Sequence, residues 1–120
     1  MMATVQDFTN IKNIDGVKSY YLVKYDGKGL AFHGDNADNL FPFIAFAGLN
    51  CDTIRSSLGL SEFKHMVFSR QSQEDLLLFG FSNYFLAVIK EAKASADDLV
   101  LKIDDFIETI KKSSTASQLH

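Results

Sequence analysis

The sequence predicts an α/β sandwich of the α+β type, in which a five-stranded antiparallel sheet has one helix on one face and two helices on the other. Three observations predict it. Hydrophobic periodicity changes along the chain in the order helix, two strands, helix, three strands, helix. An Asp-Gly turn at Asp26-Gly27 joins the first two strands into a hairpin. Short polar breaks separate the last three strands, which predicts an antiparallel meander.

The N-terminal part of the chain predicts a short helix followed by the hairpin. The helix covers residues 4–14, where Thr4 and Asp7 fit a capping box. The first strand covers residues 16–25, and its partner covers residues 30–33. Alternation places two sets of side chains on opposite faces of the first strand: Val17, Ser19, Tyr21, Val23 and Tyr25 on one face, and Lys18, Tyr20, Leu22 and Lys24 on the other.

A long apolar helix is predicted next. It begins with Asp38 or Asn39 as its N-cap and ends near Leu58. Pro42 then falls in the first turn, where its missing N–H has no intrahelical partner to lose. Gly59 is expected to end the helix, because glycine readily adopts the left-handed conformation common just past a helix C-terminus.

Three strands follow this helix, at residues 63–70, 76–81 and 84–90. The second of them is apolar on both faces, which predicts an interior strand that is covered on both sides. The third is also expected in the middle of the sheet. The amphipathic strand at residues 63–70 is therefore left at an edge.

The last helix is predicted over residues 96–112, and Ser95 with Asp98 supplies its N-terminal capping signal. Residues 1–112 are expected to form one domain, and residues 113–120 a flexible polar tail. The side chains that share an apolar stripe on this helix are Leu99, Ile103, Phe106 and Ile110, broadened by Val100 and Ile107.

The central helix carries more apolar surface than one sheet face can cover. One stripe suits packing on the sheet: Leu40, Ile44, Ala47, Cys51, Ile54 and Leu58. Four more apolar side chains lie off that stripe: Phe41, Phe43, Phe46 and Leu49. Either a loop or the N-terminal segment covers them, or they belong to a subunit interface.

The predicted edge strand favours the subunit interface. An unpaired edge that carries Phe63, Met66 and Phe68 is a hazard unless it is paired or blocked. Pairing with its symmetry mate removes the edge and brings two central helices side by side about a two-fold axis. We therefore expect a homodimer whose interface contains Phe43, Phe46, Leu49, Asn50, Thr53, Phe63, His65, Met66, Val67 and Phe68.

Charge and hydropathy argue against several classes of protein. The chain has 12 Lys and Arg against 15 Asp and Glu, a net charge of −3, and its scattered lysines form no basic surface for nucleic acid. No apolar run approaches the roughly 20 residues of a membrane span. The N-terminus shows no signal-peptide pattern. We therefore expect a cytoplasmic protein with neither nucleic acid nor membrane as a partner.

Candidate catalytic groups each have a simpler structural explanation. Gly27-Lys28-Gly29 is not part of a P-loop motif. His33, Asp35 and Asp38 are close in sequence, but loop polarity and helix capping explain the aspartates better than metal binding. Cys51 is more simply a buried structural cysteine than a nucleophile, although near a two-fold axis it could face its symmetry mate. We expect no enzyme activity, no cofactor and no metal.

The segment Asp15-Gly16-Val17, followed by Tyr21-Leu22-Val23 and Asp26-Gly27, resembles the opening strand and hairpin of the roadblock (dynein light chain) family. The order of elements from about residue 14 to residue 110 is similar to that family throughout. The resemblance implies a profilin-like fold that dimerises through the helix after the hairpin and the edge strand that follows it. The central helix here is richer in aromatic residues than the family's alanine-rich helix, and the N-terminal helix is shorter.

The resemblance also implies a function. Roadblock proteins serve as adaptors and regulators, often of Ras-like GTPases or in motor complexes. The best-known bacterial theme is a homodimer that binds a Ras-like GTPase and promotes hydrolysis without donating a catalytic side chain. We expect a non-catalytic homodimeric regulator or scaffold that binds a Ras-like small GTPase through Asn50, Thr53 and Ser57. An adaptor subunit of a motility or signalling complex without a GTPase partner is an alternative, and a PAS-like small-molecule sensor is another. A heterodimer with a related subunit also fits the sequence.

Overall fold

A computed structural model describes residues 5–59, 65–81 and 84–118. All five strands form one antiparallel sheet in the spatial order β2-β1-β5-β4-β3, which confirms the predicted fold class. The elements are a 3₁₀ helix at Val5–Asn13, β1 at Val17–Lys24, β2 at Gly29–His33, α1 at Ala37–Ser57, β3 at His65–Phe68, β4 at Leu76–Phe81, β5 at Tyr84–Lys90 and α2 at Ala96–Gln118.

The sheet separates two apolar cores. The 3₁₀ helix and α2 cover one face, and α1 covers the other. The predicted stripe of α2 is buried as expected, except that Phe106 is only partly covered. Side chains buried on the α2 side of the sheet are Tyr20, Leu22, Leu77, Phe79, Leu86 and Val88, and those buried on the α1 side are Tyr21, Val23, Leu76, Leu78, Phe85 and Ala87.

The strand order confirms that β5 is central, that β4 is an interior strand, and that β3 lies at an edge. Strand β3 ends at Phe68, two positions before the predicted end at Arg70. The predicted start of that strand at Phe63 lies outside the described residues. No helix in the described ranges is long and apolar enough to cross a membrane.

One prediction about β1 was wrong. Val17 packs in the α2-side core, although strict alternation placed it on the same face as Tyr21 and Val23. The register against β5 shifts between Val17 and Ser19, so a bulge inserts one extra residue there. Because side chains alternate with a period of two, that one residue moves Val17 to the opposite face.

The predicted start of α1 was also wrong. The helix begins at Ala37, preceded by Asn36 with φ 63°, and neither Asp38 nor Asn39 is its cap. Asparagine tolerates this left-handed conformation better than most residues, which lets the chain turn directly from β2 into the helix. Pro42 therefore lies inside the helix rather than in its first turn. Pro42 and Asp38 are both exposed, so water can reach the Asp38 carbonyl group that the proline leaves without a helical donor.

The other predicted helix ends can be compared directly. Gly59 follows α1 with φ 71° and donates its backbone N–H to the Ser56 carbonyl at 3.1 Å, as predicted for the residue that ends the helix. Ser95 caps α2, because its Oγ accepts the backbone N–H of Asp98 at 3.3 Å. Helix α2 continues to Gln118, past its predicted end near Lys112. The predicted capping residue Thr4 lies outside the described residues.

A buried lysine ties two connections together. Lys90 is 4% exposed, at the end of β5. Its Nζ donates to the carbonyl oxygens of Gln73 at 2.6 Å and Ala94 at 3.0 Å. The first belongs to the β3–β4 turn and the second to the β5–α2 connection. A buried ammonium needs such acceptors, and here they fix the ends of the central strands relative to each other.

Close packing between α1 and the sheet depends on Gly48. A Cβ atom at this position would lie 2.6 Å from ring atoms of Phe85, which is buried on β5. The absence of a side chain therefore sets how near the helix axis comes to the sheet. That approach determines which flanks of α1 are covered and which stay in solvent.

We expect Gly48→Ala to lower the free energy of unfolding by about 1–3 kcal/mol, because the added methyl group overpacks the Phe85 ring. At a helix position with room for a methyl group, replacing glycine with alanine instead stabilises the folded protein by up to about 1 kcal/mol. Urea denaturation measures the effect, with Ser56→Ala on the exposed side of α1 as the control that should shift by less than about 0.5 kcal/mol. A Gly48→Ala protein as stable as the wild type would show that the helix does not approach this closely.

Candidate protein-interaction surface

The outward side of α1 presents large apolar side chains to solvent. Phe46 is 68% exposed, and Phe43 and Leu49 are close to half exposed. A helix that packs on a sheet with one side only normally carries polar residues on its solvent-facing side. The excess apolar surface predicted from the sequence is therefore present, and in the described residues neither a loop nor the N-terminal 3₁₀ helix covers it.

Strand β3 borders the same side of the molecule. Met66 and Phe68 are partly buried against the α1-side core. His65 and Val67, which were also predicted at the interface, are exposed but lie on the opposite face of the sheet, where the His65 ring is 6.1 Å from the Phe79 ring. The Phe43 ring of α1 lies 6.4 Å from the Phe68 ring, at an interplanar angle of 65°. This edge-to-face contact joins the exposed flank of α1 to the open edge of the sheet.

Helical geometry divides the predicted α1 residues between two flanks. At about 100° per residue, Phe46, Asn50 and Ser57 lie within about 60° of Phe43, on the flank that faces β3. Thr53 lies only about 20° from Phe46, slightly further round toward the side of the helix that faces away from the sheet. Leu49 lies about 120° away from Phe43, toward β2. We call the exposed side chains on this flank, together with the β3 side chains that share the α1 face of the sheet, the α1–β3 patch: Phe43, Phe46, Asn50, Ile54, Met66 and Phe68.

Ile54 and Leu58 were predicted to pack on the sheet, and that prediction was wrong. Ile54 is 52% exposed and Leu58 is 69% exposed. Helix α1 has 21 residues and is about 31 Å long, whereas the 6-residue strand β4 is about 20 Å long. The C-terminal turns of α1 therefore extend past the sheet. Periodicity correctly gave the stripe, but it carries no information on where the sheet ends.

Asn50 in the patch and Thr53 beside it both have hydrogen-bond partners within the helix. Asn50 donates its Nδ2 to the Phe46 carbonyl oxygen at 2.8 Å, and Thr53 donates its Oγ1 to the Leu49 carbonyl oxygen at 3.0 Å. A polar group that already has a partner loses less when apolar surface covers it. The patch can therefore be buried against another molecule without leaving these donors unsatisfied.

A cleft of about 430 Å³ lies beside the N-terminal half of α1, on the same face of the sheet. The Tyr21 hydroxyl closes one end by donating to the Asp35 carbonyl oxygen at 2.7 Å. A Cβ atom on Gly34 would lie 2.6 Å from that hydroxyl, so this end of the cleft requires glycine. The apolar side chains that line the cleft are Leu40, Phe43, Phe68, Leu76 and Ile89.

The rim of the cleft carries charges of both signs. Lys18 and Glu74 form a salt bridge across it, and hydrogen bonding to Lys18 lowers the pKa of the Glu74 carboxyl group. Arg70 also lines the rim, and its positive charge acts on Glu74 in the same direction. These side chains remain accessible to water, so the pair contributes little to stability.

Cys51 lies beneath α1 and not on the α1–β3 patch. It is 5% exposed and packs in the α1-side core, so it cannot face a symmetry mate across the patch. Burial raises the pKa of its thiol, which lowers the fraction of reactive thiolate. No group of three or more His, Cys, Asp or Glu side chains suited to a metal ion occurs in the described part of the chain.

We expect Cys51 in the native protein to react with a thiol reagent such as DTNB at least about tenfold more slowly than an exposed cysteine. The matched comparison is Ser56→Cys in a Cys51→Ala background, on the exposed side of the same helix. Absorbance at neutral pH follows both reactions. Equal rates in the two folded proteins would contradict the buried position of Cys51.

No protein-family model and no curated protein matches the chain in sequence. Solved structures match its fold. The gliding protein MglB from Thermus thermophilus has a TM-score of 0.75 at 15% identity, over 93% of this chain and 88% of that chain. A structure described as MglB with a tetrameric arrangement has a TM-score of 0.74 at 15% identity, with coverage of 93% and 88%. A Roadblock/LC7 domain from Streptomyces avermitilis has a TM-score of 0.69 at 20% identity, with coverage of 88% and 92%.

These likenesses cover 88–93% of the chain. The chain therefore has the roadblock fold, which the opening hairpin of the sequence predicted.

Proposed function

We propose that this chain is a non-catalytic, cytoplasmic homodimer that binds and regulates a Ras-like small GTPase. The observation that carries the proposal is the α1–β3 patch, where exposed aromatic side chains lie next to an open sheet edge. A contiguous apolar surface of this kind is typical of a protein-interaction site. Its position matches the surface through which the family resemblance implies dimerisation.

Pairing of β3 with its symmetry mate would cover both the open sheet edge and the exposed aromatic side chains of the patch. The outer edge of β3 presents backbone N–H and C=O groups, which a second strand would pair. The same two-fold axis would place Phe46 of each copy against the other helix. Burial of each such phenylalanine contributes about 1.5–3 kcal/mol, so a few from each subunit supply much of the driving force of a standard interface.

The GTPase part of the proposal rests on the resemblance and on the fold. Asn50 and Ser57 lie near the seam of the proposed helix pair, and Thr53 lies slightly further round, toward the side that faces away from the sheet. A partner that docks across the paired helices would contact these side chains from both copies. No catalytic side chain is required of this chain in such a role, because the GTPase supplies its own.

Two alternatives make different predictions. An adaptor of a motility or signalling complex would use the same dimer without any nucleotide-dependent partner. A small-molecule sensor is favoured by one observation, the partly apolar cleft beside α1, whose volume of about 430 Å³ is within the range of ligand sites. A thermal shift with a metabolite would support the sensor.

We expect Phe46→Asp to raise the dimer dissociation constant at least about tenfold, because it places a charge at the centre of the apolar patch. Sedimentation velocity over a range of concentrations measures this change. Leu101→Asp is the matched control, since Leu101 is 64% exposed on α2, away from the patch. If the two variants dissociate equally, the patch is not the subunit interface.

We expect affinity purification from the native cell to recover a Ras-like GTPase, and the purified GTPase to bind in one nucleotide state at least about tenfold more tightly than in the other. Titration calorimetry with the GDP form and with a non-hydrolysable GTP form measures the ratio. Equal affinity for both forms, or a recovered partner that is not a GTPase, favours the adaptor.

A further inference from the structure

We propose that the cleft beside the N-terminal half of α1 binds a free α-amino acid with a large apolar side chain. This inference goes beyond the proposed function, because neither a dimer nor a GTPase partner requires a ligand there. A single subunit supplies the whole cleft, from α1, the loop before it and the strands β1, β3, β4 and β5. Its volume of about 430 Å³ lies toward the lower end of the range for small-molecule sites, which suits a ligand of this size.

The apolar side of the cleft would receive the side chain of the amino acid. Leu40 and Phe43 line it from α1, and Phe68 lines it from the end of β3. Leu76 and Ile89, which are partners in the β4–β5 register, lie below them on the sheet. A large apolar side chain placed here removes apolar surface of the protein and of the ligand from water, which favours binding.

The charges at the cleft match a zwitterion. Four charged side chains line it, two of each sign: Lys18, Arg70, Asp35 and Glu74. Lys18 and Glu74 neutralise each other in a salt bridge. Within the described ranges, the side chains of Arg70 and Asp35 have no salt-bridge partner. A ligand with one positive and one negative charge would pair with both of them, whereas a singly charged ligand would leave one unpaired.

Arg70 and Asp35 act on the same hydroxyl group. Burial raises the pKa of the Tyr21 hydroxyl, and a hydrogen bond with Ser19 lowers it. The Asp35 carboxylate raises the same pKa, and the Arg70 guanidinium lowers it, so both charges lie within electrostatic range of Tyr21. We therefore place the ligand's ammonium group at Asp35 and its carboxylate at Arg70, whose planar donors suit a bidentate contact.

Hydrogen bonds fix the backbone at both of these positions. The Tyr21 hydroxyl donates to the Asp35 carbonyl oxygen at 2.7 Å. The backbone N–H of Arg70 donates to the Asp75 carboxylate at 3.0 Å. Backbone that is already ordered loses less conformational entropy when a ligand binds, so the two charges are presented at low entropic cost.

Titration with L-phenylalanine tests the inference. The shifts of backbone amide signals in isotope-labelled protein, followed by NMR, report both the affinity and the place of binding. We expect saturable shifts at Ser19, Asp35, Leu40 and Arg70, and a dissociation constant no weaker than about 1 mM.

Two analogues separate the charged groups of the ligand. N-acetyl-L-phenylalanine lacks the ammonium group, and L-phenylalaninamide lacks the carboxylate. Each should bind at least about tenfold more weakly than phenylalanine, because one charge of the cleft then has no partner. The analogues also represent the last and the first residue of a peptide. An analogue that binds as tightly as phenylalanine would identify a peptide end as the ligand and overturn the assignment to a free amino acid.

Two variants assign the charges of the protein. Arg70→Gln should weaken phenylalanine binding at least about tenfold but leave the affinity for phenylalaninamide unchanged, since that analogue has no carboxylate to lose. Asp35→Asn should weaken phenylalanine binding and leave the affinity for N-acetylphenylalanine unchanged. Both side chains are exposed, so the fold should tolerate the changes. Lys93→Gln, exposed and outside this cleft, is the control and should change none of the affinities.

The outcomes are independent of the proposed dimer and its GTPase, which are measured without an amino acid. Phenylalanine that causes no shifts at the cleft up to about 20 mM overturns the inference and leaves the proposed function standing. A variant that weakens phenylalanine and its matched analogue equally overturns the role given to that charge. Selective losses in both variants, with none in Lys93→Gln, support the inference.

Discussion

The structure depends on the one-sided burial of α1. Gly48 lets the helix lie directly on the Phe85 ring, so one flank of α1 is fully enclosed by the sheet. A helix on the outside of a sheet has no second layer above it, yet this helix is apolar on more than the enclosed flank. The phenylalanines of α1 are exposed because the helix is apolar on two sides and the sheet covers only one of them.

Because β3 is an edge strand, the exposed flank of α1 lies beside the open edge of the sheet. If the exposed flank of α1 faced an interior strand, the sheet itself would limit access to it. Because α1 packs against β3 through Phe43 and Phe68, apolar side chains and unpaired backbone groups occur on the same side of the molecule. A single partner surface can therefore satisfy both. Cys51 does not belong to this surface, since it lies on the enclosed flank.

Much of the fold could be predicted from hydrophobic patterning and turn chemistry. Turn and capping residues act locally, so they can be recognised in a single sequence. This was true of the Asp26-Gly27 turn, Gly59 after α1 and Ser95 before α2. The errors were of a different kind. Two of them come from backbone changes that no residue pattern clearly marks. A bulge moves the Val17 side chain to the other face of the sheet, and the left-handed conformation of Asn36 makes α1 begin earlier than predicted. The exposure of Ile54 depends on where the neighbouring strands end, which no pattern within the helix records.

The excess of apolar residues on the central helix was a more informative signal than any motif. It predicted an uncovered surface, and the structure contains one at Phe43 and Phe46. The measurement that tests its meaning most directly is sedimentation equilibrium of the unmodified chain at low micromolar concentration. The account predicts a mass of twice 13.4 kDa, and a single species of 13.4 kDa that persists at high concentration would contradict it.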